Sequence, residues 1–498
     1  MKSYLQSIIW LMPGTILMFF SNGRWIIPLA TWIYPVFFLH FLSNIRPLKG
    51  FILLFIATAM VNIITWWKMI PLPIPIYLII TGIAFQINLL PYLADRLIAT
   101  RINGFESTLI FPLSLCFIEY LICQIPSKGS WTALAYSQAT NLTLMQLVSI
   151  TGIWGLSFLI GWFASVLHWA WRQEFRWNII RNGILIYVAI FALVIGYGSF
   201  QLNFESQLSK SVRIAAIVQS RNINEELKRC HWTDAQGVMP YSEEVENNLL
   251  SKTEEAAEAG AQFVLWQESA GFVPKIHEKE FIERAKNLAA KKKIYLLMTL
   301  WSIPEDFPQH KVENKLIVLT PEAKQDFTYF KSNPVSVEPI VKGNGKIPVI
   351  ETEYGNISPA ICFDDVFPGF IRQAGKNGVG IMFIPANDWK EIDPIHTYMA
   401  ITRAIENGFS LVRPAGNGLS VATDNRGRII SRLDYYHTEE QVMYADIPSS
   451  QSKTIYVSLG DFFPWCCLVG FLIFFVKMLI KNPAHIQKDF KKVQASAI

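Results

Sequence analysis

Residues 357–370 read ISPAICFDDVFPGF. A short apolar run ends on Cys362, and polar and turn-forming residues follow, which is the pattern of a strand opening into a loop. Two other apolar runs end the same way. FVLWQ (263–267) leads into Glu268, and FTYF (327–330) leads into Lys331. A strand end fixes its backbone while leaving the tip open, so catalytic groups are often mounted there. Taken singly, such a cysteine is an inert buried thiol and such a glutamate or lysine is solvated. Taken together, the three fit covalent catalysis. The thiolate attacks, a carboxylate takes its proton, and a cation stabilises the charge that develops on the attacked carbonyl.

Working outward, RIAAIV (213–218), FVLW (263–266), IYLLMTL (294–300), KLIVLT (315–320), VGIMFIP (379–385) and GFSLVRP (408–414) read as strands. Residues 241–259 and 277–292 carry apolar positions at three- and four-residue spacing and read as helices. A third helix, 394–407, follows Asp393 as its expected cap. Strands alternating with helices predict an α/β layered fold. His396, on the third helix, reads as a packing residue. The aromatic residues of 363–370 and of Gly271-Phe272-Val273-Pro274 read either as core or as a membrane-facing lid.

The rest of the chain is different. Of 498 residues, 51% are hydrophobic and 17% charged, against about 25% charged in soluble proteins. Residues 1–200 hold 11 Lys and Arg with 4 Asp and Glu, whereas residues 201–454 hold 28 and 33. This excludes a wholly soluble protein and a channel without a soluble part, and the aromatic content excludes a disordered chain. A membrane helix needs about 20 apolar residues. Such runs lie near 4–21, 25–43, 51–67, 72–93, 107–125, 145–170 and 179–200, with an eighth near 455–476. No small-residue cleavage site follows the first, so it reads as a span rather than a signal peptide. Alternate short loops hold 13 Lys and Arg on one side and 3 on the other. The richer side is expected to be cytoplasmic, with both termini there and the charged domain outside. The net charge of +5 reads as membrane topology and not as nucleic-acid binding. Of the six cysteines, only Cys230 and Cys362 lie outside apolar segments, so they are the one candidate disulfide pair. Glu119 sits inside the fifth span, where a carboxylate is either functional or paired with a neighbour.

FVLWQES, YFK and PAICFDDVFP, in this order, resemble the Glu-Lys-Cys triad of the nitrilase (carbon–nitrogen hydrolase) superfamily. The apolar half sharpens the match. FPLSLCFIEYLICQIP (111–126), YSQ (136–138) and TGIWGLSFLI (151–160) resemble the bacterial apolipoprotein N-acyltransferase family. That resemblance implies a multi-pass α-helical membrane domain of about eight transmembrane helices plus a four-layer α/β sandwich. The expected parts are a membrane domain at 1–203, an extracytoplasmic catalytic domain at 204–453, a last membrane helix at 454–480 and a basic cytoplasmic tail at 481–498. The implied protein is an enzyme of the bacterial cytoplasmic membrane. It moves an acyl chain from the sn-1 position of a phospholipid onto the α-amino group of an apolipoprotein's diacylglyceryl-cysteine, through a thioester on Cys362. No cofactor or metal is implied. The partners are the phospholipid donor, the lipoprotein acceptor and membrane lipids, with no nucleic acid. Glu268 is implied as base and Lys331 as oxyanion stabiliser.

Supporting positions match less well. The family's Lys-x-His-Leu-Val-Pro-Phe-Gly-Glu stretch reads KSNPVSVEP here, so Glu338 stands one residue nearer Lys331. The family's Cys-Tyr-Glu reads Cys362-Phe363-Asp364, which loses a hydroxyl and shortens a carboxylate. Asp365 competes with Asp364 for that role. Trp232 resembles a tryptophan in a loop near the family's site. PANDWK (385–390) resembles the Asn-Asp-x-Trp loop, and RPAGNG (413–418) resembles an Arg-x-Thr-Asn-x-Gly turn loosely. The alternatives are a membrane-tethered amidase that passes its acyl group to water, and a degenerate non-catalytic relative.

Overall fold

The computed structural model describes residues 2–102, 104–126, 128–203, 210–221, 233–335 and 338–481, and only the backbone of 2–7 and 481. Trp232, Cys230 and the tail from 482 onward lie outside the described residues. The first two hundred residues form helices α1 (Lys2–Met18), α2 (Pro28–Ser43), α3 (Pro47–Thr65), α4 (Ile74–Gly82), α5 (Leu90–Ile98), α6 (Ile110–Cys123), α7 (Leu142–Met145), α8 (Val148–Thr151), α9 (Ile153–Arg172) and α10 (Trp177–Asn203). Among the described residues six helical stretches are long and apolar enough to cross a membrane: 47–65, 74–101, 105–123, 153–172, 177–203 and 462–480. α1 and α2 are shorter, at 17 and 16 residues. Large apolar side chains of these helices face outward, among them Ile52, Met60, Leu185, Leu193 and Ile473. So much exposed apolar surface needs lipid against it, and the protein is an integral membrane protein.

Among the expected span boundaries, two move because of a glycine, and the run expected at 72–93 extends to 101. The run at 145–170 breaks at Gly152, whose φ is +64° and whose missing Cβ leaves room for the Tyr456 ring. The span is therefore α9 alone. The last span does not start at 455. Residues Ile455–Leu459 form a separate turn of helix, and Gly460, at φ +65°, ends it before Phe462 begins the long helix.

From residue 211 the chain builds two mixed sheets. Strands β1 (Ser211–Ile217), β2 (Phe263–Trp266), β3 (Gly271–Pro274), β4 (Tyr295–Ile303), β5 (Glu313–Leu319), β6 (Gln325–Phe330) and β15 (Val442–Pro448) form the first, in the order β15-β1-β2-β4-β5-β6 with β3 beside β4. Strands β7 (Ile350–Thr352), β8 (Gly355–Pro359), β9 (Ile381–Phe383), β11 (Ser410–Arg413), β13 (Leu419–Thr423) and β14 (Ile429–Asp434) form the second, in the order β14-β13-β11-β9-β8-β7. A short pair, β10 (Ala386–Asn387) with β12 (Ala415–Gly416), lies apart.

The strand period of two decides the layers. Phe263 and Leu265 of β2 face the second sheet and pack with Ile357, Phe383 and Val412. Val264 and Trp266, one residue along, face outward onto α11 (Ala235–Glu258) and α12 (Glu278–Lys292) through Val245, Leu249, Phe281 and Ala285. Fully burying each such large side chain contributes about 1.5–3 kcal/mol. Helices α13 (Pro368–Lys376) and α14 (Ile395–Asn407) cover the outer face of the second sheet. The result is a four-layer helix–sheet–sheet–helix sandwich. Asp393 does not cap α14, whose cap position is Pro394. The Asp393 carboxylate instead accepts from the Leu419 amide at 2.7 Å.

α14 also packs on the helical part, within the same apolar cluster as α2, α6 and α9. Its Arg403 and Glu406 are fully buried there. The Arg403 guanidinium pairs with Glu406 and donates to the Tyr136 hydroxyl at 3.0 Å, while Glu406 accepts from the Ile153 amide at 3.0 Å. The YSQ and TGIWG stretches thus meet one ion pair from the sandwich. Removing one partner of a buried pair leaves the other charge uncompensated, a loss of about 3–5 kcal/mol. Arg403→Ala is expected to destabilise by that amount, read as a large drop in thermal midpoint in detergent.

Candidate active site

The three strand ends converge. Glu268 follows β2, Lys331 follows β6, and Cys362 follows β8, so the first sheet supplies two groups and the second supplies one. Lys331 is wholly buried, and Glu268 and Cys362 nearly so. Lys331 Nζ donates to Glu268 Oε1 at 2.9 Å and to Glu338 Oε1 at 2.8 Å. Glu268 is fixed at both oxygens. Oε1 also accepts from Asn314 Nδ2, and Oε2 accepts from the Asn387 amide, both at 2.8 Å. Glu338 Oε2 accepts from the Val335 amide at 2.8 Å. The shortened spacing from Lys331 to Glu338 therefore still closes the contact.

Cys362 opens a short 3-10 helix, Cys362–Val366, and its φ is +47°. A non-glycine residue there is strained, and surrounding bonds must hold it. Its amide donates to the Pro385 carbonyl at 2.9 Å. Asp364 supplies most of the remaining grip. Oδ1 accepts from the Asn333 amide at 2.8 Å and from Asn333 Nδ2 at 2.9 Å. Oδ2 accepts from the Tyr329 hydroxyl at 2.7 Å and from the Ile361 amide at 3.0 Å. The shorter carboxylate thus reaches four donors, tying β6 and the Lys331 turn to the nucleophile's turn. Burial pushes its acid up to about 6, against these bonds.

Charges shape the reactive groups. Burial alone would drive the Lys331 ammonium toward neutrality, but Glu268 and Glu338 hold it well above the ordinary lysine value. Burial, then Glu268, push the Cys362 thiol well above its ordinary value, against Lys331 and Arg413. The sulfur is therefore a thiol at rest and needs a base when it attacks.

Sequence reasoning treated His396 as packing and did not single out Arg413, Asp388, Asn314 or Asn387 as site residues. His396 stands beside the nucleophile, between Asp365 and Asp388, and Arg413 pairs with Asp388. PANDWK and RPAGNG carry this wall. Asn387 fixes Glu268, and Asn417 Nδ2 donates to Asn387 Oδ1 at 2.8 Å. Cys362, Asp388 and His396 offer sulfur, oxygen and nitrogen within 4.8 Å of one another. The Asp388 and His396 atoms are already committed to ion pairs, so the trio is read as part of a charge network.

The helical part completes the site. Ser130 Oγ and its amide both donate to the Val366 carbonyl, and Gly129, at φ +56°, lets the backbones approach. Trp131 stacks near Phe363, with ring centroids 6.3 Å apart, and covers His396 at 5.2 Å. Glu119 accepts from the Leu134 amide at 3.0 Å and so anchors the loop that carries YSQ. Phe363 borders an apolar cavity of about 230 Å³ shared by Trp66, Phe85, Ile122, Trp131 and Trp389. Phe272 does not join it. It stacks on Trp301 at 6.1 Å in a separate cluster under α11.

A buried Glu-Lys-Cys cluster in an αββα sandwich defines the carbon–nitrogen hydrolase class, and the Carbon-nitrogen hydrolase family matches residues 215–456. The family described as Apolipoprotein N-acyltransferase N-terminal domain matches residues 14–166. The apolipoprotein N-acyltransferase of Geobacter metallireducens is 24% identical over 400 residues, 74% of this chain and 73% of its own. That of Shewanella oneidensis is 26% identical over 447 residues, 81% and 80% of the two chains. Among solved structures, an amidase from Nesterenkonia sp. aligns at 20% identity over 51% of this chain and 96% of its own, with a TM-score of 0.39. This chain belongs to the apolipoprotein N-acyltransferase family, an enzyme family of the carbon–nitrogen hydrolase superfamily.

Proposed function

We propose that the protein transfers an acyl chain from the sn-1 position of a phospholipid to the α-amino group of a lipoprotein's diacylglyceryl-cysteine. One observation carries the reading: Phe363, next to the nucleophile of the Glu268–Lys331–Cys362 cluster, lines an apolar cavity walled partly by membrane helices. In the first half, Glu268 takes the Cys362 proton as sulfur bonds to the ester carbon. Lys331 stabilises the oxyanion. The C–O bond breaks, and the lysophospholipid oxygen takes the proton back from Glu268. In the second half, the lipoprotein amine bonds to the thioester carbon and gives its proton to Glu268. The C–S bond breaks, and sulfur recovers a proton.

Phe363, Trp131 and Trp389 form the donor's apolar wall, and Lys128, which lines the same cavity, faces the phosphate. Glu338 and Asp364 hold Lys331 and the nucleophile turn in register. Water is a poor competitor in such apolar surroundings, which favours transfer over the hydrolytic alternative. The bias of Lys and Arg between loops supports a sandwich on the extracytoplasmic face of the cytoplasmic membrane with both termini inside.

The test is phospholipid labelled on its sn-1 chain, incubated with purified full-length protein. The expected result is a hydroxylamine-sensitive label on Cys362 by mass spectrometry, discharged on adding a diacylglyceryl-cysteine peptide. Label that decays at the same rate without the peptide would make the protein a hydrolase.

A further inference from the structure

Cys362 has charged neighbours on two sides. Glu268 and Lys331 form one. The other is a charge network that the proposed chemistry above does not use. His396 Nδ1 lies 2.7 Å from Asp388 Oδ1, and Nε2 lies 3.0 Å from Asp365 Oδ1. Arg413 Nη1 meets Asp388 Oδ2 at 3.0 Å, Nη2 meets Oδ1 at 3.1 Å, and Nε stands 3.6 Å from Asp365 Oδ2. Arg413 Nη2 and His396 Nδ1 are 2.9 Å apart and share Asp388 Oδ1. All four side chains are buried. The Trp131 ring covers His396 from the membrane side. Asp393 lies outside this network; burial, and to a lesser degree the Asp388 charge, raise its acid. A ring nitrogen of His396 and a carboxylate oxygen of Asp388 both lie within 4.8 Å of the Cys362 sulfur.

Two carboxylates and one guanidinium leave one negative charge beside the sulfur unless the imidazole is protonated. A neutral ring would accept from Arg413 at Nδ1 and leave that charge in place. The sulfur must itself carry negative charge twice per cycle, once as it attacks and once as the C–S bond breaks and its electron pair stays behind. A buried like charge within 5 Å would oppose both events.

We propose that His396 is held as an imidazolium and serves as the charge-balancing residue of the nucleophile, keeping the wall behind Cys362 neutral so that its sulfur can form and depart as thiolate. Burial alone would make the ring neutral, but Asp365 and Asp388 hold its proton up to about pH 9. His396 acts on Cys362 without bonding to the substrate. The inference rests on Cys362 being the nucleophile, and its test does not need acyl transfer.

The experiment is the rate of Cys362 alkylation by iodoacetamide between pH 6 and 10, in detergent-solubilised full-length protein, localised by mass spectrometry. His396→Gln should raise the apparent thiol pKa by about one unit and slow alkylation at pH 7.5 about tenfold. Asp365→Asn, which removes a negative charge, should change the rate in the opposite direction. The double variant should return to within about threefold of wild type. If His396→Gln does not fold, the acceleration by Asp365→Asn still decides. Equal slowing in both single variants, or a double variant slower than either, would mean the network only supports the fold and would overturn the proposal. Normal alkylation profiles without lipid label would instead sink the transferase reading.

Discussion

Cys362→Ser is expected to lose acyl transfer by at least about 10⁴-fold while keeping the fold. The side chains are nearly the same size, and Asp364 with its four donors holds the turn in either case. What changes is the atom that must form a bond. Burial already makes even the thiol hard to ionise here, and a hydroxyl is far harder. No histidine is hydrogen-bonded to position 362 among the described residues, because both nitrogens of His396 face carboxylates. The serine variant thus lacks the pairing that activates serine nucleophiles. An unchanged thermal midpoint with no lipid adduct is the expected pair of results. An adduct at wild-type rate would remove Cys362 from the mechanism.

Glu268→Gln is the second large effect, expected to lower turnover by about 10²–10⁴-fold. Oε1 faces Lys331 and Asn314, and Oε2 faces the Asn387 amide, so every partner is a donor. A glutamine must turn its NH₂ toward one of them, whichever way it is placed. One clash of donors costs about 1–3 kcal/mol, so some stability is lost as well. The base is lost in both half-reactions. Lys331 keeps Glu338 at 2.8 Å, so the ammonium remains in place. Stopped-flow or single-turnover measurement should show thioester formation and its discharge to amine slowed together. A defect confined to one half-reaction would mean that another group serves the other half.

How much of this was legible before the structure depends on how local each feature is. FVLW and RIAAIV are legible as strands because each is a short apolar run, as a strand buried on both faces of a sandwich requires. The cap of α14 was misread. Asp393 has the right residue type at the right place, but the Leu419 amide, distant in sequence, competes for its carboxylate and wins. The run at 145–170 looked continuous because hydropathy does not register a glycine whose backbone must reverse. His396 carried no signal in its own helix, since its partners Asp365, Asp388 and Arg413 come from other segments. Asn387 acts on Glu268 through its backbone amide, a group that every non-proline residue has and no pattern can mark.

The sequence by itself determined that a charge-poor, membrane-length helical part joins an α/β domain, and that Glu268, Lys331 and Cys362 stand at the ends of strands. These follow from composition and short periodicity, which burial and lipid impose residue by residue. Only the tertiary structure decided that the three ends meet and that Asp364 spans the site despite its shorter arm. It also decided that Trp131 and Ser130 of the helical part close over the nucleophile's turn. Such contacts join residues hundreds of positions apart, and the distance between them is set by how sheets and helices pack, which no local pattern encodes.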